Sequence, residues 1–175
     1  MHAQNALAET KANYGYQILR IILGSLFIAL AANISIPVGP VPVSLQSLSI
    51  LLLGLTLGSK EATLAVLAYL AEATLGLPVI AGGLSKPLWM MGSTAGFLIG
   101  FIPAAYLAGL ARPTFFSAFT WFSLALVSVF GCGVAYLSFF VGFEQAVQIG
   151  LMPFILGDII KLGLACASLK LYRKI

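Results

Sequence analysis

Apolar residues fall in long, nearly unbroken runs along this chain, and short polar or Pro/Gly-rich interruptions divide them into six. After a mixed polar leader at 1–16, the runs lie at about 17–36, 43–58, 62–77, 93–111, 117–141 and 150–169. As helices rising 1.5 Å per residue, most can cross a hydrocarbon core of about 30 Å. The second is short: Leu45 to Leu57 covers roughly 20 Å, so it must recruit Val43 and Ser44, start below the surface or be shielded by neighbours. Pro37, Pro40 and Pro42 cannot all lie inside a helix and predict an ordered loop or a helix entrance. Lys60-Glu61 predicts a tight polar turn, and residues 76–92 predict a long loop able to dip into the bundle mouth. Residues 142–149 predict a short loop, and Pro103 predicts a kink in the fourth run. Ala29-Leu30-Ala31 has the small-residue spacing of a signal-peptidase site, but the apolar run continues to Ile36 behind a weakly basic leader. The segment therefore reads as a retained span.

Composition decides the solvent. The 175 residues are 61% hydrophobic and 8% charged, with a mean hydropathy of +1.06. A soluble domain carries about 25% charged residues, so this reads as an all-α integral membrane protein, one transmembrane domain over 1–175. The runs do not alternate as the strands of a membrane barrel would. The net charge of +4 reflects where the bases sit and gives no reason to expect nucleic acid. Counted over alternate loops, Lys11, Arg20, Lys60, Arg112, Lys170, Arg173 and Lys174 share the N-terminal side, and Lys86 stands alone opposite. By the positive-inside rule this places both termini of a six-helix bundle in the cytoplasm of a multi-pass cell-membrane protein. Loops 37–43, 76–92 and 142–149 then face outside.

The candidate chemistry centres on Asp158 and Lys161 in the last run, LMPFILGDIIKLGLACASL. Residues three apart share a helix face, so both charges can address one cavity. Each costs roughly 2.5–3.5 kcal/mol at mid-bilayer depth, so neither should face lipid. Two readings stay open: a self-satisfied ion pair pinning two helices, or a polar ligand site in which Asp158 accepts N–H donors and Lys161 meets an acceptor. Gln46 is a polar group seeking a partner inside the bundle. Glu72 is either a paired buried carboxyl or a contact near the ligand. Ser25, Ala29 and Asn33 form a four-residue stripe, and Gly92, Gly96, Gly100, Ala104 and Ala108 form another; such stripes let helices approach closely in lipid. Cys132 and Cys166 lie in apolar runs without metal spacing, and His2, the sole histidine, lies in the leader. With no nucleophile–base pair and no metal ligands, an intramembrane enzyme is disfavoured, and no cofactor is expected. The chain has no Walker loop and cannot spend ATP itself. A purely structural membrane subunit, with the charges as interhelical glue, is a further alternative.

Four ordered stretches carry a resemblance: VPVSLQSLSILLLGLTLG (41–58), LGLPVIAGG (75–83), GSTAGFLIGF (92–101) and MPFILGDIIK (152–161). Together they resemble the BioY family, the biotin-specific membrane subunits of energy-coupling-factor transporters, from about residue 20 to the end. The resemblance implies a six-helix bundle that captures biotin from outside and works with a transmembrane coupling protein and cytoplasmic ATPases, which alone use ATP. It places the vitamin-binding Asp and Lys on Asp158 and Lys161, and the coupling-protein docking stripe on the Ser25, Ala29 and Asn33 region. Gly82 and Gly83 fall in the family's loop motif and Gln46 in its second-helix motif. On this reading Lys86 is the preferred partner of the biotin carboxylate, with Lys161 or no partner (a solvated loop lysine) as alternatives, and Trp89 and Phe97 either cover the ring and chain or are plain packing. Ser93, Ala95 and Phe97 depart from the family's GPTGGYLIGF, and LSKPLWMM departs from its Gly/Ser-rich loop, so the same architecture for another vitamin is the nearest alternative.

Overall fold

The computed structural model describes the backbone of residues 2–37 and 41–172 and the side chains of 14–37 and 41–169. Pro40, His2, Lys11 and the basic tail of Lys170, Arg173 and Lys174 lie outside the described side chains. Within those bounds the fold is helical: α1 (His2–Asn33), α2 (Gln46–Thr74), α3 (Ala95–Ala108), α4 (Phe115–Val141), α5 (Phe143–Gly150) and α6 (Met152–Tyr172). Four helices are long and apolar enough to cross a membrane: the Tyr14–Asn33 part of α1, α2, α4 and Met152–Leu169 of α6. Large apolar side chains such as Leu30, Phe116, Phe139 and Leu156 point outward. That suits a molecule whose surroundings are hydrocarbon.

The polar leader belongs to the first helix, because α1 starts at His2 and runs without interruption into the first apolar run. Its Ala-rich sequence contains no proline to stop the helix. The same helix ends at Asn33, short of Ile36. Pro37 pushes the residue before it into extended backbone, and Ser35–Ile36 becomes β1, paired antiparallel with β2 (Val43–Ser44). A two-stranded ribbon thus flanks the proline segment, with Pro37 and Pro42 outside its strands.

α2 is a hairpin. Gln46 and Tyr69, 23 positions apart, would be about 35 Å apart on a straight helix, yet Gln46 Nε2 donates to Tyr69 Oη at 2.7 Å. The reversal occurs at Gly58, whose φ of 76° and ψ of 174° suit glycine and break the helix. The tight turn therefore falls two residues before the expected Lys60-Glu61, both of which belong to the second arm. The arms, 46–57 and 59–74, stand where the second and third runs were read.

Small residues set the approach of α3. A Cβ on Gly96 would collide with Tyr136 Cβ and the Cys132 carbonyl, and one on Gly100 would lie 2.9 Å from Val129 Cα, so α3 lies directly on the α4 backbone. At its other end Ala108 meets α2, where a Cβ on Gly54 would sit 2.5 Å from Ala108 Cβ. α3 passes through Pro103 as one helix. The expected loop at 142–149 is instead helix α5. Gly142, with φ 83°, ends α4, Glu144 favours a new helix start, and Ala146 and Gly150 supply a buried face. Pro153 sits in the first turn of α6, where its missing N–H costs nothing.

Candidate ligand-binding site

A cavity of about 430 Å³ opens at the end of the bundle that carries the ribbon and the 76–92 loop, within the usual small-ligand range of about 300–1,000 Å³. One wall is aromatic: Phe97 and Phe101 from α3, Phe130 from α4 and Phe154 from α6. Phe154 stacks on Phe97 with ring centroids 6.3 Å apart and meets Phe130 edge-on at 6.0 Å. The ribbon side contributes Ser35, Pro42 and Ser44, and the loop contributes Ile80, Gly82 and Lys86.

Asp158 and Lys161 sit at the polar end of this cavity, 5% and 6% exposed. Lys161 Nζ donates to Asp158 Oδ1 at 2.6 Å. Ser47, in the first turn of α2, joins them: its hydroxyl donates to the same Oδ1 at 3.1 Å and accepts from Lys161 Nζ at 3.0 Å. Both readings of the pair thus meet in one arrangement. The charges satisfy each other, yet they line a cavity, and among the described residues Asp158 Oδ2 accepts no hydrogen bond. Removing one partner of such a buried pair would leave an uncompensated charge, at a cost of about 3–5 kcal/mol.

The other predicted residues divide. Gln46 lines the cavity but is already engaged, accepting from Ser44 Oγ at 2.8 Å and donating to Tyr69. Phe97 and Gly82 line it, and Lys86 lines it while remaining exposed, so it marks the mouth. Gly83 stands behind the wall, where a Cβ would come within 2.8 Å of Asn33 Oδ1. Gly82 and Gly83, with φ of 79° and 69°, shape a turn that Gly82 N–H ties to Ala32 O on α1 at 3.0 Å.

Three sets of predicted residues lie away from the cavity. Glu72 is not in the cavity; its carboxylate takes a 2.6 Å hydrogen bond from Ser25 on α1, across the α1–α2 contact. Trp89 is buried beneath the loop and gives its Nε1–H to Thr74 Oγ1 at 3.0 Å, anchoring the loop to the end of α2. Ser25 and Ala29 are buried, with Ser25 fully covered, so the stripe with Asn33 is not an open docking face. Asn33 is exposed but bonds back to Ala29 O. The sequence reading missed Ser47, Ser44, Ser35, Thr94, Phe101, Phe130 and Phe154. For Ser47 no local signal exists, since its partners lie 111 and 114 positions away.

Among the described residues no cluster of three His, Cys, Asp or Glu is placed to hold a metal. Comparison with known proteins points the same way as the cavity. The chain is 37% identical over 148 residues to a protein of Pyrococcus horikoshii named probable biotin transporter BioY, covering 83% of this chain and 90% of that protein. It is 36% identical over 154 residues to the biotin transporter BioY of Thermotoga maritima, covering 85% and 90%. A crystal structure of the S-component for biotin from an ECF-type ABC transporter superposes with a TM-score of 0.82, at 28% identity and 94% coverage of both chains. With the BioY family matched from residue 4 to residue 175, this chain belongs to that family.

Proposed function

We propose that this chain is the biotin-capturing subunit of an energy-coupling-factor transporter, taking the vitamin from outside the cell membrane and handing its energised movement to partners. The observation that carries this is the buried Asp158–Lys161–Ser47 triad in the wall of a cavity of about 430 Å³, with one carboxylate oxygen accepting no hydrogen bond from the described residues. Biotin presents ureido N–H donors, a ureido carbonyl, an apolar thioether ring and chain, and a carboxylate. Asp158 Oδ2 accepts a ureido N–H, a charge-assisted bond of about 1.5–3 kcal/mol, and Lys161 donates to the ureido oxygen. The phenylalanine wall covers the ring and chain. Lys86, at the mouth, meets the carboxylate.

In the bilayer α1, the two arms of α2, α3, α4 and α6 provide six crossings, with both termini cytoplasmic. Arg20 and Lys60, at the Gly58 turn and away from the cavity, support this orientation. The chain holds no cofactor and performs no chemistry on biotin; ATP is used by coupling ATPases that act through a transmembrane partner. Because Ser25 and Ala29 face inward, that partner docks on other surfaces. Equilibrium binding of radiolabelled biotin to the detergent-purified chain tests the proposal. Saturable biotin binding that excess thiamine and riboflavin fail to displace is expected; displacement by either vitamin would reassign the cavity.

A further inference from the structure

Proton counting around the buried pair gives Ser47 a definite task. A carboxylate has only acceptors, an ammonium has only donors, and a hydroxyl has a single proton. Ser47 must therefore spend its proton on Asp158 Oδ1, 3.1 Å away, and present its oxygen to Lys161 Nζ at 3.0 Å. Lys161 gives a second N–H to the same Oδ1 at 2.6 Å. Oδ1 thus holds two donors, Oδ2 holds none from the described residues, and one of the three ammonium N–H groups stays uncommitted. Both residues line the cavity, so one acceptor oxygen and one donor N–H remain for a ligand. Its complement is a ligand edge with one N–H next to one carbonyl, as on a cyclic ureide. A fork of two N–H donors, as on a cyclic guanidine, needs both carboxylate oxygens and finds one of them filled.

We propose that Ser47 is a positioning residue that sets ligand choice: it fills Asp158 Oδ1 and orients Lys161, so that the site accepts a ureide and refuses a guanidine. The proposal rests on the cavity's being the biotin site, and it adds the residue that makes the polar end selective. Without the hydroxyl, Oδ1 regains a free lone pair and Lys161 a second free N–H. Each carboxylate oxygen can then accept one N–H of a two-donor fork.

The test is calorimetric titration of the full chain in detergent with biotin and with iminobiotin, whose ureido carbonyl is replaced by C=NH, at a pH where the guanidine is protonated. Ser47→Ala should lower the ratio of biotin to iminobiotin affinity by about tenfold, and Ser47→Thr, which keeps the hydroxyl, should restore it to within about twofold. Equal weakening of both ligands, with an unchanged ratio, would mean that Ser47 merely packs and would overturn the proposal. If Ser47→Ala does not fold, Ser47→Cys, near-isosteric and a poor donor, must lower the ratio; an unchanged ratio there overturns it equally. A wild-type chain that binds no biotin would overturn the biotin reading and this proposal with it, whereas a biotin-binding chain with an insensitive ratio overturns this proposal alone.

Discussion

Asp158 and Lys161 stand in an apolar helix where each charge alone would cost about 2.5–3.5 kcal/mol, and their mutual bond at 2.6 Å offsets part of that cost. A pair kept only as glue would be sealed by packed side chains. Here the two residues border a cavity together with Ser47, four phenylalanines and, at the mouth, Lys86. The division of labour assigned to Lys86 is testable by itself. Lys86→Ala should weaken biotin about fivefold or more while leaving a carboxylate-blocked biotin amide unchanged, because only an acid can use the ammonium. Competition binding with both ligands reads this, and equal loss for both would remove Lys86 from the carboxylate. At this scale the sequence was legible where a residue is costly in its surroundings: two charges three apart in an apolar run have few harmless explanations. It was not legible where a role depends on a distant partner. Ser47 looks like any helix serine until α6 is laid beside it. Glu72, open to either a paired carboxyl or a ligand contact, bonds Ser25, and Trp89 bonds Thr74.

Elements bring these residues together through close backbone approach. The Gly96 and Gly100 face seats α3 on α4, and that contact carries Phe97 to the cavity, where a Cβ on Gly133 would strike its ring. Gly96→Leu should therefore push α3 away from α4, lowering stability by about 1–3 kcal/mol and biotin binding with it. Gly131→Ala, on the facing helix α4 with nothing within 4 Å of its new Cβ, should be neutral or mildly stabilising. Thermal aggregation midpoints in detergent separate the two; equal behaviour would refute the packing argument. Most helices could be read from the length of their apolar runs, because a bilayer demands length before it demands pattern. The α2 reversal was placed at the charged Lys60-Glu61, whereas the backbone turns at Gly58, the residue that tolerates φ 76°. Helix α5 was invisible to hydropathy because its eight residues are mixed in polarity and its start depends on the Gly142 bend.

The whole molecule is polarised. Arg20 and Glu61 pair at 3.5 Å at one end, near Lys60, while the cavity, the ribbon and the glycine turn tied to α1 occupy the other. This asymmetry underlies the proposed orientation, cavity outward and basic end inward. In a chain with Cys132 and Cys166 replaced, Lys86→Cys should label with an impermeant maleimide in intact cells, and Lys60→Cys only after permeabilisation. The reverse pattern would invert the molecule. The six-run pattern conveyed the helical architecture, but the existence of a cavity did not follow from it. Hydropathy reports what faces lipid, and an enclosed void is a property of packing among α3, α4, α6 and the ribbon.

An opposite-charge pair kept in the membrane interior for a ligand must show itself in biotin titration of wild-type and Asp158→Asn chains that insert equally well. Wild type should bind biotin saturably at a single site, and the variant should bind about tenfold or more weakly, the equivalent of one charge-assisted hydrogen bond. Equal affinity in the two chains would contradict it.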